Sequence, residues 1–410
     1  MDFNDTAEEA EFRAAARAFL DANAVLKSAN SRTYRSRAFN PEDVALSKAW
    51  QATKAAAGFA GFHWPKKYGG REGTQMQAII FAQEEEKYLV PPGIFNQGVG
   101  MALPTIMSCG TPEQIDRYAR PALFGEEVWC QLFSEPAAGS DLAGLRTRAT
   151  RNGDDWLING QKVWTSNAHF SQFAMLVARS NPDVSKHQGL TFFILDMATP
   201  GVEVRRIKQI SGTSNFCEVF LTDVRIPDSQ RLGGVGEGWK VAMTMLANER
   251  HTVGQAEGPD FEDIFRLVKL LTLDGAPAVD DSAVREKLAS WYCQAQGLKY
   301  TRLRMQTALS RGKTPGPEAS IAKLVSATKL QEIAAFGVDL LGQAGAVMDP
   351  ETAPFDAWFQ NAFLYAPGKR IAGGTDEILR NIIAERVLKM PADVRVDKDM
   401  PFNKIPVGLR

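Results

Sequence analysis

The residues best suited to act on a ligand lie in the run Trp129-Cys130-Gln131-Leu132-Phe133-Ser134-Glu135-Pro136-Ala137-Ala138-Gly139-Ser140-Asp141. A short apolar, strand-like stretch ends in Ser-Glu-Pro and turns through small residues into Gly-Ser-Asp. Glycine and alanine let a ligand approach the backbone closely, and such a turn leaves N–H groups free to meet an anion. Plain hairpin connections also read this way, so the turn alone leaves both meanings open. Trp164-Thr165-Ser166-Asn167 closes the next pair of strands; for Trp164 by itself, a core residue at a strand end is the alternative reading. Further on, Glu249-Arg250 is, without other information, a solvated pair on a helix surface, and His251 a packing residue.

The elements that must position these residues fall into three blocks. Helical periodicity runs from Glu8 to Asn23 with Thr6 as N-cap, and from Pro41 to Ala57 with Asn40 as cap and Pro41 in the first turn. Gln75–Lys87 and Thr111–Phe124 add two more predicted helices. From Val128 the period changes to short β-branched or aromatic runs bounded by Asn, Asp, Gly and Pro, at 146–151, 156–164, 173–179, 190–196, 202–207 and 217–224. Beyond Gly236 helices resume, at 239–251, 261–271, 283–311, 318–341 and 375–388. Helices, then strands, then helices predict an α+β fold. Its parts are an N-terminal α-helical domain (1–127), a middle antiparallel, β-barrel-like domain (128–234) and a C-terminal helical bundle (235–410).

Bulk properties narrow the function. A chain of 410 residues has ample material for a core and for two or three domains. A formal net charge of −1 gives no reason to expect nucleic acid or a membrane surface as partner. Cys109, Cys130, Cys217 and Cys293 form no CxxC pair, and the four histidines show no ligand spacing, so no metal site is expected. No apolar run reaches transmembrane length, and the acidic start lacks a secretory pattern, so a cytoplasmic location is expected.

Taken together, 132–141 and 164–167 resemble the two flavin-contact motifs of the acyl-CoA dehydrogenase family, which read like Glu-Pro-Gly-Ala-Gly-Ser-Asp and Trp-Ile-Thr-Asn. Pro65-Lys66-Lys67-Tyr68-Gly69-Gly70 resembles the family's early Tyr-Gly-Gly turn, and the likeness runs from Glu8 to about Leu388. The resemblance implies three domains, the last a four-helix bundle. It also implies FAD as cofactor, an acyl-CoA thioester as substrate, an electron-transfer flavoprotein or similar acceptor, and a homo- or hetero-oligomer, typically a tetramer. Desaturation beside a thioester carbonyl needs a base for the α-proton and a hydride acceptor, and no side chain accepts hydride. By resemblance, Phe133, Ser134, Gly139, Ser140, Trp164, Thr165 and Ser166 bind the flavin, Thr375 and Glu377 its nucleotide portion, and Ser140 and Arg250 the CoA thioester.

Many members carry the base as the glutamate of Tyr-Glu-Gly-Thr; here Ala372-Gly373-Gly374-Thr375 puts Gly373 in its place. Isovaleryl-CoA and long-chain acyl-CoA dehydrogenases use instead a glutamate before an arginine on the first helix of the C-terminal domain. Asn248-Glu249-Arg250 resembles that arrangement and implies Glu249 as base, with Gly373 supplying a backbone donor. Two departures concern the nucleotide grip. The Arg-x-x-Phe-Gly segment of homotetrameric relatives has no counterpart between Leu267 and Arg285, and Asp339 stands for the glutamine before the family's Phe-Gly-Gly turn. An unlike partner chain would supply these contacts, as in bacterial heterotetrameric relatives acting on steroid-like thioesters; alternatively, Arg302, Arg304 or Arg311 of a like chain would. Two other functions fit the sequence: a non-catalytic subunit completing a partner's cofactor site, and a flavin oxidase or monooxygenase.

Overall fold

The computed structural model describes residues 5–28, 39–252, 258–310, 316–317, 319–395, 397 and 399–406, without the side chains of 249–252, 309–310 and 319. Thr6 and Asn40 close capping boxes on α1 (Ala7–Asn23) and α2 (Pro41–Ala56), as their spacing to an acidic residue three positions later dictates. α3 (Gln75–Glu85) packs on α1 through an aromatic cluster of Phe12, Phe19, Phe59, Phe62 and Phe81. Beneath it, the fully buried Glu84 carboxylate accepts from Arg13, Arg17 and Lys87 at 2.8–3.4 Å. A two-residue ladder joins β1 (Val25–Leu26) to β2 (Tyr88–Leu89). α4 (Leu103–Cys109) and α5 (Pro112–Leu123) complete this part.

Eight strands form one sheet: β3 (Trp129–Leu132), β4 (Arg148–Asn152), β5 (Asp155–Ser166), β6 (Phe173–Arg179), β7 (Leu190–Asp196), β8 (Val202–Ile207), β9 (Phe216–Pro227) and β10 (Arg231–Leu232). Their order is β10-β7-β6-β4-β5-β9-β8, mostly antiparallel. Two pairings are parallel, and both involve one edge of β6: β3 lies beside Phe173–Leu176, and β4 joins at Arg179. The chain between β3 and β4 must therefore leave that edge at Leu132 and return to it at Arg148. This detour is the Ser134–Asp141 turn.

β6 and β7 are buried on both faces, which gives them continuous apolar runs in place of alternation. Met175, Val177, Phe192 and Ile194 face the N-terminal helices. Ala174, Leu176, Phe193 and Leu195 face Trp156, Ile158, Val219 and Leu221 of β5 and β9. The sheet thus folds across β4 into two layers without closing, since β10 and β8 remain its ends among the described residues.

α6 (Gly238–Thr252) buries Val241, Ala242 and Met245 in the core shared by α4 and β7. The separate C-terminal core joins α7 (Phe261–Leu270), α8 (Ser282–Ser310), α9 (Ala319–Leu340) and α10 (Trp358–Lys369) through Leu267, Leu288, Trp291, Ile333 and Phe359. Gly337 admits the Phe359 ring against the α9 backbone, where a Cβ would run into it. A ladder of β11 (Thr272–Leu273) with β12 (Ala276–Pro277) links α7 to α8, and α11 (Asp376–Ile382) packs on α9. The chain then returns to the sheet: Phe402 N–H donates to the Val184 carbonyl at 2.8 Å, and its ring lies 3.5 Å from the Arg179 guanidinium carbon.

Candidate functional site

Ser134 and the 164–166 segment are neighbours because the Val163 N–H donates to the Ser134 carbonyl at 2.9 Å. Glu135 and Ala138 exchange two backbone hydrogen bonds of 3.0 Å, which pinches the Pro136-Ala137 corner into a tight turn. Just beyond it, Gly139 and Ser140 are exposed, and an added Cβ at Gly139 would meet nothing within 4 Å. This open shelf of small residues suits close approach by a phosphate. The Phe133 ring is buried against Phe192 at 5.7 Å, so what this residue offers a ligand is backbone.

Trp164 is 59 % exposed and stands at a register shift in the β5–β9 ladder, with φ of 59°. A tryptophan in the left-handed region is uncommon and strained. The bulge turns its indole out of the sheet, edge-on to Phe216 at 6.1 Å. Thr165, next in line, points inward, and its hydroxyl has no partner among the described residues. Ser166 is half-buried, and Asn167, also at positive φ, donates its N–H to the Asn215 carbonyl. An exposed indole, an open glycine shelf and the half-buried Ser166 beside them have the chemistry that a flavin's ring and pyrophosphate require.

A buried ion pair under this surface escaped the sequence reading. Lys162, fully buried, lies 2.9 Å from the Glu135 carboxylate and also donates to the Phe133 carbonyl at 3.0 Å. Glu135 accepts in addition from the Arg146 and Thr147 N–H groups at 2.6 and 2.8 Å. Burial pushes the Glu135 carboxyl up, but the Lys162 charge and the N–H donors outweigh it and leave its pKa below the ordinary value. Burial pulls the Lys162 ammonium down against the opposing pull of Glu135. The available signal was a lysine at an inward register of a strand, with a glutamate in the preceding turn.

The C-terminal candidates form a second cluster. Gly373 and Gly374 adopt φ of 66° and 96°, which non-glycine residues avoid. Lys323 on α9 donates to the Gly374 carbonyl at 2.6 Å, and the buried Asp376 accepts from Arg370 at 2.6 Å. The Thr375 hydroxyl caps α11 by accepting from Ile378 N–H. Glu377 is exposed; its own N–H and Thr375 hold its carboxyl below the ordinary range. Glu249 and Arg250 occupy the last turn of α6, with side chains outside the described residues; Asn248 beside them donates to Thr105 Oγ1 at 3.4 Å. Arg311 also lies outside the described residues. Contacts of the 370–377 cluster run to α9, and those of the 133–147 cluster to β5, β6 and β7. Among the described residues no group of His, Cys, Asp and Glu could hold a metal, and no helix is long and apolar enough to cross a membrane.

Family models match most of the chain: acyl-CoA dehydrogenase N-terminal domain at 6–126, middle domain at 130–224 and C-terminal domain at 236–388. Acyl-CoA dehydrogenase IpdE1 of Mycobacterium tuberculosis is 35% identical over 94% of this chain and 98% of that protein. Acyl-CoA dehydrogenase FadE34 of the same organism is 38% identical over 83% of this chain, which spans only 46% of that longer protein. The ChsE4–ChsE5 complex from M. tuberculosis shares the fold, with a TM-score of 0.75 at 24% identity over 96% of this chain and 100% of that chain. The chain belongs to the acyl-CoA dehydrogenase family, whose members are FAD-dependent oxidoreductases.

Proposed function

We propose that this chain desaturates an acyl-CoA thioester between its α and β carbons, with Glu249 as the base that removes the α-proton. The observation that carries the reading is the junction of Ser134 with the Trp164–Ser166 bulge, which presents donors, an indole and an open shelf on one surface. When bound there, FAD supplies the hydride acceptor that no side chain can replace. The chain's own residues do the rest. Ser134, Ser166 and the backbone of Thr165 would orient the ring, Trp164 would cover it, and Gly139, Ser140, Thr375 and Glu377 would hold the remainder. Arg250 and Ser140 hold the CoA portion, and the Gly373 N–H steadies the thioester carbonyl as the α-proton leaves.

Gly373, lacking a side chain, suits a bulky or branched acyl group. The missing Arg-x-x-Phe-Gly segment and Asp339 favour an unlike partner chain that completes the nucleotide site, with an electron-transfer flavoprotein or similar protein as acceptor. Glycine at the usual base position favours one competing reading, that of a cofactor-completing subunit without its own base. Glu249→Gln separates the two: it keeps size and hydrogen bonding, so flavin reduction by acyl-CoA falls by at least ~10² while FAD stays bound. Near-normal reduction in the variant would overturn the assignment of the base.

A further inference from the structure

The Lys162–Glu135 pair performs no step in the proposed reaction, yet it touches both segments assigned to the flavin. Lys162 precedes Trp164 by two positions on β5, and its ammonium spans Phe133 O and Glu135 Oε1. The Glu135 carboxylate in turn grips the N–H groups of Arg146 and Thr147, where the detour rejoins β6. One lysine thus fixes the entry of the turn, and one carboxylate its exit. Close approach of that exit to β5 depends on Gly160, where a Cβ would stand 2.7 Å from Thr147 Cα. A buried ion pair gives little net stability over apolar residues of the same volume, but its hydrogen bonds are directional. The pair is nearly sealed from water, at 0 % and 8 % side-chain exposure, so solvent cannot substitute for either partner.

We propose that Lys162 and Glu135 are positioning residues for the flavin: they set the placement of the Ser134–Ser140 turn against the Trp164–Ser166 bulge. The inference rests on the flavin-dependent function proposed above. Without the pair, the entry of the turn keeps the Val163–Ser134 bond to β5, and the turn's far side stays held by Arg179 at the Ala143 and Leu145 carbonyls and by Lys186 at Asp141, so what is lost is the link between Ser134 and the exit at Arg146 and Thr147.

The test compares Lys162→Met, Glu135→Gln and a control, Ile158→Ala, with the wild type in the assembly purified from its host. Ile158 is fully buried on the same strand, in the core facing β6 and β7. FAD dissociation constants, the visible circular dichroism of the flavin, and amide exchange at Arg146, Thr147 and Val163 are measured together. Lys162→Met weakens FAD binding by ~10-fold or more, alters the flavin dichroism and speeds exchange at Arg146 and Thr147. Glu135→Gln, which preserves shape, does the same to a smaller extent if the methionine variant fails to fold. Ile158→Ala lowers the melting temperature with FAD affinity and dichroism unchanged. FAD affinity and dichroism within twofold of wild type in both pair variants would overturn the inference. So would equal FAD loss in the control at a matched melting temperature. A wild-type assembly that takes up no flavin would overturn the proposed function itself, and is told apart by the wild-type measurement alone.

Discussion

Replacing Asp376 by asparagine removes one negative charge from beneath the Gly373–Gly374 turn while keeping the side chain's size. Asp376 is 3 % exposed, and its carboxylate stands 2.6 Å from Arg370 Nε and 4.0 Å from Lys323 Nζ. The hydrogen bond to Arg370 is charge-assisted and contributes about 1.5–3 kcal/mol. Asparagine still offers that donor an oxygen, so about half of this survives. Arg370 is 39 % exposed and water compensates it, whereas Lys323, at 10 %, is left with less to balance its charge. A net loss of about 1–2 kcal/mol follows, or roughly 5- to 30-fold in the local opening equilibrium. Amide exchange at Asp376 and Leu379, whose N–H groups bond to the Arg370 and Thr375 carbonyls, reads this opening directly. In the Asp376→Asn variant both amides exchange roughly 5- to 30-fold faster, and flavin reduction slows because the Gly373 donor is no longer held in place. Exchange rates within twofold of wild type would refute the claim that this cluster sets the turn.

Gly373→Glu fills space beside the thioester and forces a side chain onto a backbone with φ of 66°. It lowers kcat/KM for bulky acyl-CoA substrates ~10-fold or more relative to short linear ones, and equal losses for both classes would remove the space-making role. Expressed alone, the chain carries substoichiometric FAD, and co-expression with an unlike related chain restores full loading in a larger assembly; flavin content per chain at known mass decides this. Glu84→Gln destabilises the N-terminal helices in a pH-dependent way. Burial alone would raise the Glu84 pKa, but Lys87, Arg13 and Arg17 bring it from 4.5 down to about 2. A depressed carboxylate stabilises the fold above about pH 4.5 and loses that contribution as pH falls toward 2. The shift corresponds to at most about 3 kcal/mol, reduced to roughly 1–2 by the half-exposed Arg17 and Lys87. Urea denaturation should show that deficit at pH 7 and its progressive shrinkage as pH falls from 4.5 toward 2; a deficit independent of pH would count against it.

Local rules carried the sequence reading a long way. Caps are written in three or four adjacent residues, so Thr6 and Asn40 were legible, as were the strands of 173–179 and 190–196 with their unbroken apolar runs. Helix α10 was not: it contains Pro367, and its apolar residues wrap around it because α9 and the loops before it bury several sides. The α6 helix lies within the stretch matched by the C-terminal domain model, yet it buries Met245 among N-terminal and sheet residues, a choice of partner that its own periodicity cannot encode. At the site, the motif residues were visible, but the outward Trp164 depends on a bulge fixed by its pairing with β9. Lys162 was hidden for a different reason. A lysine in a strand normally marks the wet face, and although its register matches Trp156 and Ile158, only the folded detour brings Glu135 to it.

The clasp that Asp397 and Asn403 make with the sheet has a consequence in time. Asn403 donates to Asp183 across 220 residues of sequence, and Lys186 links Asp141 to Asp397 across 211. On the ribosome, the loop at 182–188 is complete long before the segment that fastens it has been synthesised. The sheet must therefore fold with that edge unlatched and wait for the helical part to be translated. Its closure cannot precede the emergence of Asp397 and Asn403.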